Sequence, residues 1–375
     1  MSIATRKFNI VKLLLNKSIF DENIIDIILR CYWNILDYEK KILVNWINIE
    51  KLHWGKYTEY PIQKLNWIEL SSNPNAISLL KKRIEYEKSV PLDDEEYYYN
   101  TGYWDEDTDE FKFLNEIDWY ILSTNPNAID LLKNNQDKIC WWKLSKNPNA
   151  IDFLSINQDK IDWELLSENA NAIDLLKERI EYENSLTTEE FDEIHYENKI
   201  NWSGLSCNPN AIDLLKENQD KIKWKYLSEN PNAIDLLKEN QDKIDWYRLS
   251  CNPNAIDLLK ENQDKIDWNV LSSNPNAIEL LKQNQNKINW SGLSCNPNAI
   301  DLLKENQDKI DWYCLSENPN AIDLLKENQD KINWHLLSQN PNAIELLKEN
   351  QNKIINWKLL SENPAIFEDE SMPII

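Results

Sequence analysis

Six cysteines, three histidines and two clusters of carboxylates are the side chains of this 375-residue chain that could do chemistry. The cysteines are Cys31, Cys140, Cys207, Cys251, Cys295 and Cys314, and no two of them form a Cys-x-x-Cys pair. Cys207, Cys251 and Cys295 recur every 44 residues. Two stacked units would set such residues roughly 20 Å apart, well beyond the roughly 4.4–6.8 Å between Cα atoms that a disulfide spans. Free thiols in a reducing, intracellular compartment are the expectation, because a secreted disulfide framework would be denser. His53, His195 and His335 do not stand at the spacings of a zinc site. One carboxylate cluster holds Asp93, Asp94, Glu95, Glu96, Asp105, Glu106, Asp107 and Asp109; the other holds Glu189, Glu190, Asp192 and Glu193. Neither has the ordered ligand spacing of an EF-hand loop. With no nucleophile–base pair, the chain reads as having no catalytic residues, no metal and no cofactor.

Composition narrows the classes further. Lysine and arginine number 41 against 64 aspartates and glutamates, a formal charge of −23. Nucleic-acid binding needs clustered cations to displace counterions from phosphates, so that charge argues against it and favours a basic protein partner. No apolar run approaches the roughly 20 residues of a membrane span. The four glycines (Gly55, Gly102, Gly204 and Gly292) are too scattered for a phosphate-cradling loop. Near the N-terminus, Lys12 interrupts Ile10–Leu15 and no small-residue cleavage site follows, which argues against a signal peptide.

The elements that position these residues follow from an internal repeat. Tryptophan recurs at 67, 119, 141, 163, 202, 224, 246, 268, 290, 312, 334 and 357, mostly at steps of 22 residues. The steps of 52 after Trp67 and 39 after Trp163 mark insertions near 83–112 and 179–195. In the unit from Trp246, Asp245 is placed to cap a first helix through Cys251. Asn252 is placed to cap a second helix with Pro253 at its first position and Ala255, Ile256, Leu258 and Leu259 on its buried face. Asn262 would end that helix in the left-handed conformation, and Ile266 would return to the core. One unit cannot bury this face alone, but stacked units share a core. The pattern therefore predicts an all-α solenoid of about twelve two-helix repeats over 67–364, a rod or superhelix about 100 Å long. Residues 1–66 would form a helical N-terminal cap and 365–375 a tail.

The repeat phrase Leu-Ser-x-Asn-Pro-Asn…Leu-Leu…Asn-x-Asp-Lys-Ile resembles the leucine-rich variant repeat, which implies alternating α- and 3-10 helices. Its NPNAI-x-LL…DKI-x-W wording is similar to tandem-repeat proteins of amoeba-infecting giant DNA viruses, which implies a viral, intracellular protein. Within the N-terminal segment, Ile19-Phe20-Asp21-Glu22 followed by Ile24-Ile25 and Ile28-Leu29 distantly resembles the opening of an F-box. That resemblance implies a substrate-recruiting adaptor of a ubiquitin ligase.

Units differ chiefly at their second, third and sixth positions, which share one helix face. We read the variable stripe as a partner-binding surface made of Tyr120, Trp142, Lys143, Lys225, Tyr226, Tyr247, Arg248, Asn269, Tyr313 and His335. Aromatic residues and arginine dominate binding hot spots; a solvated face that drifted is the alternative. Both insertions leave the repeat on the phrase Arg-Ile-Glu-Tyr-Glu, at 83–87 and 179–183, which predicts a second helix lengthened by about one turn. In the first, Tyr97, Tyr98, Tyr99, Tyr103 and Trp104 form either an acidic-aromatic arm or a solvated flap. The expected function is a non-enzymatic protein-binding scaffold, with the F-box-like adaptor as the alternative.

Overall fold

The computed structural model describes residues 41–43, 66–89, 102–105, 110–113, 117–351, 353 and 356–369. Residues 19–32, which carry the F-box resemblance, and Tyr97–Tyr99 lie outside these. The chain is an all-α solenoid of 22-residue units from Trp67 onward. We number the units 1 to 12 by their opening tryptophan, which is position 1 of each.

Unit 7 shows why these residues fold as they do. Its first helix, Trp246–Cys251, starts where the Asp245 carboxylate accepts the Arg248 N–H at 3.1 Å, as expected from the sequence. The second helix is Ile256–Glu261 and does not begin at Pro253. Pro253 instead occupies the second position of a turn closed by the Ala255 N–H on the Asn252 carbonyl, the place where proline is favoured. The Asn252 side chain accepts the Asn254 N–H within that turn. Asn262 is not left-handed: at φ −128 and ψ 47 it ends the helix by donating its side-chain amide back to the Leu258 carbonyl. In most units a 3-10 turn follows, such as Gln241–Lys243. Leu249, Ala255, Leu258, Leu259 and Ile266 are buried, and their counterparts in units 1 to 10 join one continuous core that extends into units 11 and 12.

Hydrogen bonds between units account for the polar residues that do not vary. The Asn252 amide donates to the carbonyls of Ser228 and Asn230 in the preceding unit, at 3.2 and 2.9 Å. The Ser228 hydroxyl accepts the Asp245 N–H at 3.0 Å, and Asn254 donates to the Pro231 carbonyl. Buried amides and hydroxyls are costly without partners, and here each unit supplies them to the next.

The ladder has no end. Asn73 of unit 1 donates to the carbonyls of Ser361 and Asn363 of unit 12, each at 3.0 Å. The Asn66 N–H donates to the Ser361 hydroxyl, and Asn75 to the Pro364 carbonyl. These are the same bonds in the same register as at every other interface. The solenoid therefore closes into a ring of twelve units, which corrects the expected open rod. The face of unit 1 that a cap would have shielded is covered by unit 12. Within the segment expected to be a helical cap, strand β1 (Lys41–Leu43) pairs antiparallel with β4 (Phe367–Asp369), with Ile42 opposite Glu368. Ile366 and Phe367, expected in a free tail, are buried.

First helices of neighbouring units pack closely around the ring, whereas second helices stand farther apart. The first helices are therefore the inner wall and the second helices the outer. With neighbouring helices roughly 8–10 Å apart and helices about 10–12 Å in diameter, the opening is about 20–26 Å wide.

Both insertions arise on the outer wall. The second helices of units 1 and 4, Ile77–Ser89 and Ile173–Ser185, run 13 residues against six in unit 7, so they gain about two turns and not one. The gain explains the shared phrase. In units 5 to 11 the lysine before the closing isoleucine covers its own unit's tryptophan, as Lys265 does Trp246 at 4.5 Å. In units 1 and 4, Arg83 and Arg179 of the lengthened helices take that place over Trp67 and Trp163, at 5.3 and 5.1 Å. The first insertion contains a hairpin of β2 (Gly102–Asp105) and β3 (Glu110–Phe113), in which Tyr103 pairs with Lys112 and Trp104 with Phe111. The second folds back through a helix, Thr188–Glu193, started by a capping box between Thr187 and Glu190. Glu183 accepts the Ile200 N–H at 2.9 Å and anchors the return of the chain.

Candidate interaction surface

Every first helix turns its leucine (position 4) and serine (position 5) into the core, where both are fully buried. Positions 2, 3 and 6 lie on the opposite side of the helix. Because the core and second helices are outward of the first helices, the variable stripe faces the opening.

Position 2 is the freest. Tyr247 and Tyr313 are each 60% exposed, and Tyr120 and Trp142 each 44%. Lys225, Asn269 and His335 are also exposed. Tyr120 and Trp142 meet edge to face at 5.0 Å between ring centres. Lys143 sets its ammonium 4.4 and 4.6 Å from the two rings, making one aromatic-cation cluster across units 2 and 3. The His335 ring lies beside the Asn356 amide of the next unit.

Position 3 is mostly spent on contact between units. It meets position 6 of the preceding unit, usually 19 residues earlier in sequence. Arg248 pairs with Glu229 and stacks 4.8 Å over Tyr226, so these two members of the predicted surface partly serve the interface. Leu336 is buried, and Leu165 and Val270 are half-buried. At Gly204 and Gly292 the approach is close: a Cβ there would lie 2.9 Å from Glu168 Cγ and 2.8 Å from Ser273 Oγ. At the seam, position 3 of unit 1 is Glu69, which binds Lys358 at 3.0 Å. Glu362 faces them with its carboxyl raised, by burial first and then by its hydrogen bond to Glu69.

Cys207 and Cys251 occupy position 6 opposite Tyr226 and Val270, and burial pushes both thiols up. Cys295 occupies position 6 opposite Cys314. The sequence did not suggest that pairing, because Cys314 stands 19 residues on, at a different position of its unit. The complementary charges of Glu229 and Arg248 at the same 19-residue spacing were the available signal.

The charges of the two walls differ. The stripe carries five cations (Lys143, Lys146, Lys225, Arg248 and Lys358) against six carboxylates (Glu69, Glu164, Glu168, Glu229, Glu317 and Glu362), in a chain of charge −23. The acidic excess therefore lies elsewhere, including exposed outer residues such as Asp257, Glu261 and Asp264. Lys260 offsets Asp257 at 3.1 Å. Lys265 covers Trp246 and does not pair with Glu261, whose helix ends before reaching it. Among the described residues, no helix is long and apolar enough to cross a membrane.

Comparisons of the chain with protein families, curated proteins and solved structures find no match.

Proposed function

We propose that the ring is a non-enzymatic scaffold that holds a protein partner against its inner wall. The observation that carries this reading is the set of exposed aromatics, Tyr120, Trp142, Tyr247 and Tyr313, on a nearly neutral surface inside a strongly acidic molecule. Solvated drift would not favour large aromatics, which supply contact area at low entropic cost. An opening of about 20–26 Å accommodates a helix, whose diameter is about 10–12 Å. The acidic outer wall would draw a basic partner toward the ring. An intracellular setting and a viral origin rest on the cysteine pattern and on the wording of the repeat.

The test is differential capture. Full-length protein and a variant carrying Trp142→Ser, Tyr247→Ser and Tyr313→Ser are used as paired baits, with bound proteins quantified by mass spectrometry. A partner retained by the first and lost by the second, at unchanged melting temperature, supports the reading. Equal recovery of every bound protein would reduce the stripe to a solvated face.

A further inference from the structure

The interface between units 9 and 10 is the one place among the described residues where positions 6 and 3 are both cysteine. Their helices, Trp290–Cys295 and Trp312–Glu317, pack directly against each other. Cys314 Sγ is 3.3 Å from Ser291 Oγ, and the Cys314 thiol lies near enough to Cys295 to raise its titration. Equivalent interfaces give the backbone geometry. One unit earlier, a Cβ at position 3 would lie 2.8 Å from the γ atom at position 6, and at Gly204 the value is 2.9 Å. In a disulfide each Cβ sits about 3 Å from the far sulfur, given an S–S bond of roughly 2.0 Å. The two helices start alike, with N-caps at φ −83 for Asn289 and φ −83 for Asp311, so positions 6 and 3 face each other at this interface too.

We propose that Cys295 and Cys314 are a reversible disulfide site that staples unit 9 to unit 10 on the inner wall, oxidised by a peroxide and reduced by a dithiol. Burial and the Cys314 thiol push Cys295 up, and the two thiols titrate as a pair. One of the two sulfurs, as thiolate, takes a hydroxyl from the peroxide and becomes a sulfenic acid, and the other peroxide oxygen leaves as water after gaining a proton. The second sulfur then displaces that hydroxyl, which departs as water with the second thiol's proton. Two thiols lose two hydrogens and one peroxide becomes two waters. A dithiol reverses the bond by exchange and is itself oxidised to a disulfide. Cys207 and Cys251 have no cysteine opposite them and serve as internal controls.

The full chain is treated with hydrogen peroxide, alkylated, digested without reductant and analysed by mass spectrometry. The expected product is one linked peptide pair joining Cys295 to Cys314, two hydrogens lighter than the free peptides, with Cys207 and Cys251 still alkylated. Dithiothreitol should restore alkylation at both sites. In Cys295→Ser and in Cys314→Ser no linked peptide should form, and a dimedone adduct should accumulate at the cysteine that remains. A folded, oxidised chain in which both residues are alkylated or singly over-oxidised, with no linked peptide, would overturn the proposal. So would linkage of Cys295 to Cys251 in equal yield.

Discussion

The side-chain amide of Asn73 donates to the carbonyl of Ser361, 288 residues away, at 3.0 Å. That bond repeats the one between Asn252 and Ser228. It makes the first and last units neighbours.

The seam should therefore behave as an ordinary interface. Asn73→Ala leaves two buried carbonyls without their donor and should destabilise the protein by about 2–4 kcal/mol. Asn252→Ala should cost the same, within error, in thermal or denaturant unfolding. In an open array, Asn73 would sit on an end face, and its loss would cost almost nothing.

The cation over the opening tryptophan of units 1 and 4 to 11 is a second structural element to test. Lys265→Ala should cost about 0.5–1 kcal/mol, the value of a cation–π contact at an exposed site. Arg179→Ala should cost more, because Arg179 also holds Glu183, which anchors the second insertion. Trp246→Ala should cost about 3 kcal/mol or more. Equal losses for Lys265 and Arg179, read from melting curves, would deny the arginine its double role.

The stripe divides into contact and free positions. Arg248→Ala should lower stability by about 1 kcal/mol through its lost pairing with Glu229 and stacking on Tyr226. Tyr247→Ala, next to it and 60% exposed, should shift stability by no more than about 0.5 kcal/mol. A partner that uses the inner wall should lose affinity for Tyr247→Ala; charge reversal at Asp257, Glu261 and Asp264 should instead slow its association and leave dissociation unchanged.

How much of this was legible in the sequence follows from what a repeat encodes. The tryptophan steps and the Leu-Ser, Asn-Pro-Asn and Leu-Leu columns specified the units, because every unit must bury the same face against its neighbours. Asp245 as a cap could be read from residue type alone. Closure could not: twelve units close when each turns by about 30°, and that angle comes from the packing difference between inner and outer helices, which no column states. Residue type alone makes Asn252 a helix cap, because the bonds of its amide across the interface leave no local trace. The meeting of Cys295 with Cys314 needed the offset between positions 6 and 3, which only the stacking geometry provides.

The seam also sets a pH dependence. Glu362, facing Glu69, Lys358 and Gln339, has its carboxyl raised above 4.5, mainly by burial. A raised carboxyl favours the folded state while protonated. Its contribution is fully present below the ordinary value and is lost as pH rises through the folded value. Glu362→Gln should therefore raise the melting temperature at neutral pH and flatten its pH dependence above 4.5. An unchanged profile would mean that the carboxyl is not held at the seam.

Ring closure is the claim on which the inner wall, the seam and the stripe all depend, and a distance across units 1 and 12 tests it most directly. Fluorophores are placed at Ser72→Cys and Glu362→Cys in a chain whose native cysteines are replaced by serine. A ring puts the labels on adjacent units, roughly 10 Å apart before linkers, and energy transfer should be nearly complete. An open solenoid of twelve units would hold them on the order of 100 Å apart and show almost no transfer, which would contradict the account.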